Sequence, residues 1–438
     1  MACQERETLP PPLPPPELEE PMEPEEPPRP QYCTTWPVDE DGKYKPHHGH
    51  VDKIKYESIA PKGGWKKPTN FKIIAMVFYG RRRFIDILDC YLQRNLAANG
   101  GYVDEVWYMA HTANEEDISW LSSFVQKTEN YRFFDLGNCT TGPYGCIWNN
   151  ATDTDTMYIK IDDDITYVHP DTISRLVHTR MDHPRPFAIS ANLVNSPLMG
   201  YLHYHFGAIH PYLPDPNAAP TFAASETWRP SQLPRYPIEV PESYKVLDMR
   251  PPYMGHRWLP LANSSGSDIH TISLLHSPIG KYDSRMDLHF GTAWKSWAIA
   301  VQAHYSLLEN LERNQLSRYF FSSNLGYDHG RGAGESPSSS QLWDMQFTRY
   351  NLNFIAVWGR DIKEHLPIDD DDEEAIGVTI PRWTGRPFVI ETRALVAHLN
   401  FGPQTDGVEQ SDVVDRWRAF VNERICEDTN LKKPFDGR

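Results

Sequence analysis

Phe71 to Tyr79 reads FKIIAMVFY, a near-continuous apolar run that stops at Gly80. A strand with one wet face would alternate polar and apolar residues, and this one does not. The run therefore predicts a strand buried on both faces, of the kind found in sheets covered by helices. A cover follows at once. Phe84, Ile87, Leu88, Tyr91 and Leu92 recur at helical spacing, and Asn99-Gly100-Gly101 ends the helix. Val103 to Ala110 predicts a second strand. Asn114 to Lys127 predicts a second helix, capped by Asn114 and carrying acids in its first turn. Tyr131 to Leu136 predicts a third strand. This alternation implies an α/β domain with a mostly parallel sheet, and ligands of such sheets gather beyond the carboxyl ends of the strands.

The fourth predicted strand, Met157 to Ile165, reads MYIKIDDDI. Met157, Ile159 and Ile161 share one face; Tyr158, Lys160 and Asp162 share the other. The strand runs out of the core straight into Asp162, Asp163 and Asp164. Adjacent carboxylates repel, and each unit by which a pKa rises costs about 1.4 kcal/mol. Three acids at a buried strand end favour a bound cation, and hard oxygen ligands favour Mn²⁺ or Mg²⁺. A solvated acidic turn is the alternative.

The strand YIKIDDDITYVHP resembles the DxD strand of GT-A fold glycosyltransferases, and its wording is similar to the β-1,3-galactosyltransferase and fringe group. The layout from Phe71 to Asp164 fits the nucleotide-binding half of that Rossmann-like fold. Ala394 to Gln404, ALVAHLNFGPQ, resembles the late strand whose histidine completes the metal site. The chain as a whole resembles fungal GT-A proteins. The resemblance implies a metal-dependent enzyme, with Mn²⁺ or Mg²⁺, that transfers sugar from a nucleotide-sugar, most often a UDP-sugar, to a carbohydrate or glycoconjugate acceptor. It implies Asp164 and His398 as metal ligands, Asp162 on the metal or the ribose, and Asp163 beside them. The backbone of Phe78, Tyr79 and Gly80 would hold base and ribose. Lys160 and one of Arg81, Arg82 and Arg83, with Arg83 the foremost choice, would meet the phosphates. Asp344, in LWDMQFTRY before the predicted strand at 353–358, resembles the acid of the inverting enzymes' base, at the start of a short helical piece; the usual Glu-Asp pair is Trp-Asp here. Asp361 is the second choice, and a retaining enzyme would need neither.

The rest of the chain frames this core. Residues 9–30, LPPPLPPPELEEPMEPEEPPRP, form a Pro/Glu spacer unable to bury a core. The expected organisation is a tail and lead-in over 1–66, a nucleotide-sugar half over 67–190, a loop-rich insertion over 191–290, and a second half over 291–438. The insertion holds 13 prolines and many aromatics, and a segment so long and irregular usually shapes a site. Within it His203, His205 and His210 invite a zinc reading. These histidines, with Tyr201, Tyr204 and Tyr212, fit an acceptor pocket better, because aromatic faces stack on sugars; Trp258, Trp294 and Trp297 raise the same idea, with core packing the alternative for the helix tryptophans. Regularity returns with an apolar helical face through Trp297, Val301, His304, Tyr305, Leu308 and Leu311, near Trp294. Strands are expected at 353–358, 378–380 and 394–400, and a terminal helix at 412–424. Asp369 to Glu374, DDDDEE, reads as a solvated acidic loop, with a second metal site as the alternative.

A net charge of −16 disfavours a broad nucleic-acid or anionic-membrane surface. No apolar stretch of about 18 residues spans a bilayer, and the first residues lack the apolar run of a signal peptide. Six cysteines make no disulfide scaffold. Cys139 and Cys146 are close enough to bridge, and Asn138, Asn150 and Asn263 sit in glycosylation sequons. Together they suggest the Golgi lumen, with an anchor outside this numbering; a cytoplasmic protein is the alternative. Two other functions use the same features: a metal-dependent phosphohydrolase or nucleotidyltransferase, and a non-catalytic carbohydrate-binding protein on a transferase scaffold.

Overall fold

The computed structural model describes residues 58–137, 142–216, 227–236, 250–261, 274, 277–279, 291–322 and 341–431. The Pro/Glu spacer, Cys139, the sequons at Asn138 and Asn263, and much of the insertion lie outside them.

Eleven strands are described: β1 (Lys72–Tyr79), β2 (Glu105–Ala110), β3 (Tyr131–Asp135), β4 (Thr156–Asp162), β5 (Ile165–Val168), β6 (Ala188–Val194), β7 (Tyr212–Pro214), β8 (Trp258–Pro260), β9 (Leu342–Asp344), β10 (Phe354–Trp358) and β11 (Phe388–His398). Nine form one sheet in the order β3-β2-β1-β4-β10-β6-β11-β5, with β9 also paired to β11. β1, β2, β3 and β4 are mutually parallel, and β10 runs against both β4 and β6. β6 and β11 are again parallel. Six strands therefore point the same way, and β5, β9 and β10 oppose them. The fold is a Rossmann-like α/β fold with a mostly parallel sheet flanked by helices.

The expected βαβ units are present. Ile73, Ala75, Met76 and Val77 of β1 are fully buried, as a two-sided strand requires. Helix α1 (Arg82–Asn95) buries Phe84, Ile87, Leu88, Tyr91 and Leu92. Helix α2 (Glu115–Val125) starts at Asn114, whose side chain accepts from the amides of Glu116 at 3.0 Å and Asp117 at 3.4 Å. Helices α3 (Gly142–Ile147) and α4 (Thr172–Asp182) flank β4 and β5 in sequence. The helix Trp297–Glu312 is buried on nearly every side, including Gln302, His304 and Asn310, so Trp297 is a core residue. Among the described residues no helix is long and apolar enough to cross a membrane.

Three local expectations differ. Val378 to Ile380 is helical, within Ala375–Thr379 and Ile380–Thr384. Three apolar residues do not separate strand from helix, and Asp371 starts a helix just before them by accepting from the Glu374 amide at 3.2 Å. Leu342–Asp344 is a strand instead of a helical start, because Trp343 and Asp344 pair with Ile390 and Val389 of β11. The segment after residue 190 opens regularly, with β6 continuing into helix α5 (Pro197–His205). A disulfide joins Cys90 of α1 to Cys426, beyond the last long helix. The sequence reading did not foresee it, because 336 positions separate the two cysteines. Cys146 is also disulfide-bonded.

Candidate metal centre

β4 is buried from Thr156 to Ile161 and reaches partial exposure only at Asp162. The chain then reverses over Asp163 and Asp164 and re-enters the sheet as β5. Phe78, near the end of β1, pairs with Asp162, and His398, the last residue of β11, pairs with Ile165. The ends of β1, β4 and β11 thus meet where an open parallel sheet binds its ligands. Ligand atoms of Asp162, Asp164 and His398 all lie within 4.8 Å of one another. Two carboxylates and an imidazole form an oxygen-rich set suited to a hard divalent cation.

Each acid has a different neighbour. Asp162 accepts from Lys160 Nζ at Oδ1 and from Asn353 Nδ2 at 2.6 Å at Oδ2. Asp163 is buried and accepts from the amides of Gly80 at 3.0 Å and Arg81 at 2.7 Å. It also takes Arg81 Nη2 at 2.6 Å. Asp164 lies 2.9 Å from the same Nη2 and 3.3 Å from His398 Nε2. Burial opposes ionisation of Asp164, but the charges of His398 and Arg81 outweigh it and hold its carboxyl below the usual range. Burial likewise opposes a charged His398, and Asp164 more than offsets this and raises its pKa. The pocket is built to stabilise positive charge beside Asp164.

The chain after His398 is pinned. The Leu399 amide donates to the Asp164 carbonyl at 3.0 Å. The Leu399 carbonyl accepts from Asn195 Nδ2 at 2.9 Å and lies 2.9 Å from His304 Nε2. Trp417 Nε1 donates to His304 Nδ1 at 3.1 Å, so the His304 proton sits on Nε2 and donates to Leu399. Asn195 itself, just past β6, holds a φ of 61°, a left-handed conformation that asparagine tolerates better than most residues.

A second acid approaches from the DDDDEE run. Asp372 is buried and accepts from Trp148 Nε1 at 3.0 Å. Burial lifts its pKa to about 6, although the charge of Lys160 pulls the other way. Asp370 accepts from the Tyr144 amide at 3.0 Å, and a Cβ at Gly142 would meet the Asp370 carboxyl at 2.1 Å. Asp369, Asp370 and Asp371 are exposed, as a solvated acidic loop has them, and Asp372 is the buried exception. Tyr144, half exposed, lies 5.2 Å from the Phe78 ring, so an aromatic pair flanks Asp162.

Other expected site residues stand elsewhere. Tyr79 is buried and donates its hydroxyl to the Asp117 carbonyl at 3.2 Å, leaving only its backbone near the acids. Arg81, not Arg83, grips them. Arg83 pairs with Glu409 and lines a cavity of about 360 Å³ with Asp406, Glu409, Asp415 and Arg418. Asp344 pairs with Val389, at the far end of the strand that finishes in His398, so it does not reach the triad. Asp361 follows β10, whose Trp358 pairs with Met157 at the start of β4. It is therefore at the opposite end of the sheet, 2.7 Å from both Arg180 Nη2 and Arg386 Nη1. His203 lies 2.9 Å from Asn192 Oδ1 and His210 lies 2.9 Å from Asn310 Oδ1, while His205 is exposed against Tyr201. These three share no centre. The sequence offered the Arg81-Arg82-Arg83 run but no way to choose within it. Asp372 was hidden in a run of like residues.

No protein-family profile matches this chain, and no curated protein matches it. A solved structure described as "Crystal Structure of a Mycobacterial Protein" aligns with 32% of this chain and 45% of its own, at 13% identity and a TM-score of 0.24. That likeness carries no argument.

Proposed function

We propose that this chain is a metal-dependent transferase of the GT-A type, moving a sugar from a nucleotide-sugar, a UDP-sugar by preference, to a carbohydrate or glycoconjugate acceptor. One observation carries the reading: His398, from a distant part of the chain, comes within 4.8 Å of Asp162 and Asp164 at the strand ends. Mn²⁺ or Mg²⁺ bound there would supply positive charge to a departing diphosphate. Lys160 beside Asp162 and Arg81 beside Asp164 add fixed positive charge. The Phe78–Tyr144 pair offers a face for a nucleoside base, with the half-exposed Tyr144 as its outer wall.

The base for an inverting reaction is sought near this site, away from Asp344 and Asp361. The cavity lined by Arg83 is close by, since the guanidiniums of Arg81 and Arg83 lie 4.9 Å and 4.7 Å from the ring of Phe84, which also lines it. We assign the acceptor to it, with Glu409 and Asp406 as the carboxylates available to take a hydroxyl proton. The Cys90–Cys426 and Cys146 disulfides support an oxidising compartment such as the Golgi lumen.

Thermal unfolding with UDP, UDP-sugars and inorganic phosphate, each with and without Mn²⁺, tests the reading, because a specific ligand stabilises only the folded state. The expected result is a shift with UDP-sugar that requires Mn²⁺. Phosphate release from a nucleotide with no acceptor present would favour a phosphohydrolase. No shift with any nucleotide would leave the carbohydrate-binding alternative.

A further inference from the structure

We propose that Asn400 is a further member of the cation site, offering its Oδ1 as a ligand beside Asp162, Asp164 and His398. The inference rests on the metal reading above and adds a residue to it. Asn400 is 3% exposed, and among the described residues neither its Oδ1 nor its Nδ2 has a hydrogen-bond partner. Buried carboxamides are nearly always satisfied, because an unmet donor and acceptor forfeit the hydrogen bonds water would give.

Position selects what satisfies it. Asn400 is one residue beyond the Leu399 amide that bonds the Asp164 carbonyl, and two beyond His398. Three hydrogen bonds, from Leu399 to Asp164 and from Asn195 and His304 to Leu399, fix the backbone between His398 and Asn400. His398 Nδ1 is also buried without a partner among the described residues. Unmet polar atoms therefore gather on one short, rigid segment at the triad. Asn353 also has a buried Oδ1 with no partner among the described residues, but its Nδ2 holds Asp162 at 2.6 Å and so fixes it as a positioning residue for that acid.

The chemistry fits an amide oxygen. Mg²⁺ and Mn²⁺ accept more ligands than the triad supplies, and asparagine carbonyls are ordinary hard donors. A neutral ligand adds coordination without a fourth negative charge in a pocket that already holds Asp162, Asp163 and Asp164. The Asn400 amide would remain free to donate to a phosphate oxygen of the bound nucleotide.

The test titrates Mn²⁺ into the full chain, following free Mn²⁺ by electron paramagnetic resonance, alongside thermal unfolding without metal. Asn400→Leu is expected to fold at least as stably as the parent without metal, because the orphaned amide is gone, and to bind Mn²⁺ at least about tenfold more weakly. Asn400→Asp keeps the volume and an oxygen donor and is expected to retain Mn²⁺ binding. Parent-like affinity in folded Asn400→Leu overturns the proposal, as does loss of binding in folded Asn400→Asp. A parent that binds no Mn²⁺ or Mg²⁺ overturns the metal reading itself, an outcome distinct from failure of Asn400 alone.

Discussion

Arg81 clasps Asp163 with both its backbone and its side chain: the amide donates at 2.7 Å and Nη2 at 2.6 Å. The exit of β1 is thereby tied to the reversal after β4, two of the three strand ends that meet at the candidate centre. Nη2 also lies 2.9 Å from Asp164, so one guanidinium neutralises two buried acids. Arg81→Met leaves both without it; breaking a fully buried pair costs about 3–5 kcal/mol, and because the Arg81 side chain is 37% exposed, solvent screening lowers the expected loss to about 1–3 kcal/mol. Urea unfolding is expected to show a loss of that order. Arg81→Lys restores only part of it, because an ammonium lacks the planar fork that serves two carboxylates. Full rescue by lysine would refute this account of the clasp.

Asp164→Asn separates cation binding from folding. The variant keeps the Arg81–Asp163 clasp and the Leu399 backbone bond to residue 164, so the fold is expected to persist. It loses the charge that offsets burial of His398 and turns one of three clustered ligands from an anionic into a neutral, weaker donor. Mn²⁺-dependent stabilisation by UDP is expected to vanish while circular dichroism stays that of the parent. Undiminished Mn²⁺-dependent UDP binding would remove Asp164 from the centre.

Asp361 is a structural acid. It joins Arg180, from α4, to Arg386, just before β11, and is buried. Asp361→Asn strands two guanidiniums, one of them fully buried, and is expected to lower stability by about 3 kcal/mol. Once folded, it is expected to bind Mn²⁺ and nucleotide like the parent. A normal melting temperature with lost turnover would return Asp361 to the chemistry.

The sheet was legible because its signals are local. FKIIAMVFY cannot be a half-wet strand, Asn114 caps the helix it precedes, and MYIKIDDDI announces both a strand and its charged end. Asp162, Asp164 and His398 could be named together because a resemblance joined what spacing could not. Partners set by tertiary contact stayed hidden. Nothing in Arg81-Arg82-Arg83 says which arginine turns to the acids, and nothing in DDDDEE marks Asp372 as the member beneath Trp148. Asp344 and Asp361 failed for a shared reason: position along the chain was taken for position along the sheet. β9 and β10 run against the strands that carry the centre, which sends these acids away from it.

Stability is expected to fall in mild acid through histidines buried as neutral groups. His203 lies 2.9 Å from Asn192 Oδ1. Asn192 spends its Nδ2 on the carbonyls of Tyr319 and Thr392, so the imidazole must be the donor. Its Nδ1 is buried with no partner among the described residues, and burial pulls its pKa down to about 3. His256, likewise buried, is held at about 4. The unfolded chain takes up these protons near pH 6.5 and the folded chain does not. Their contribution is complete above pH 6.5 and is lost as pH falls toward 4, at about 1.4 kcal/mol per unit for each histidine. Urea midpoints at pH 7 and pH 5 should therefore differ more for the parent than for His203→Gln, whose amide can still donate to Asn192. The difference attributable to His203 is about 2 kcal/mol. Identical pH dependence in parent and variant would show that His203 is already protonated in the folded protein, and that its unpartnered nitrogen is not what makes the fold acid-labile.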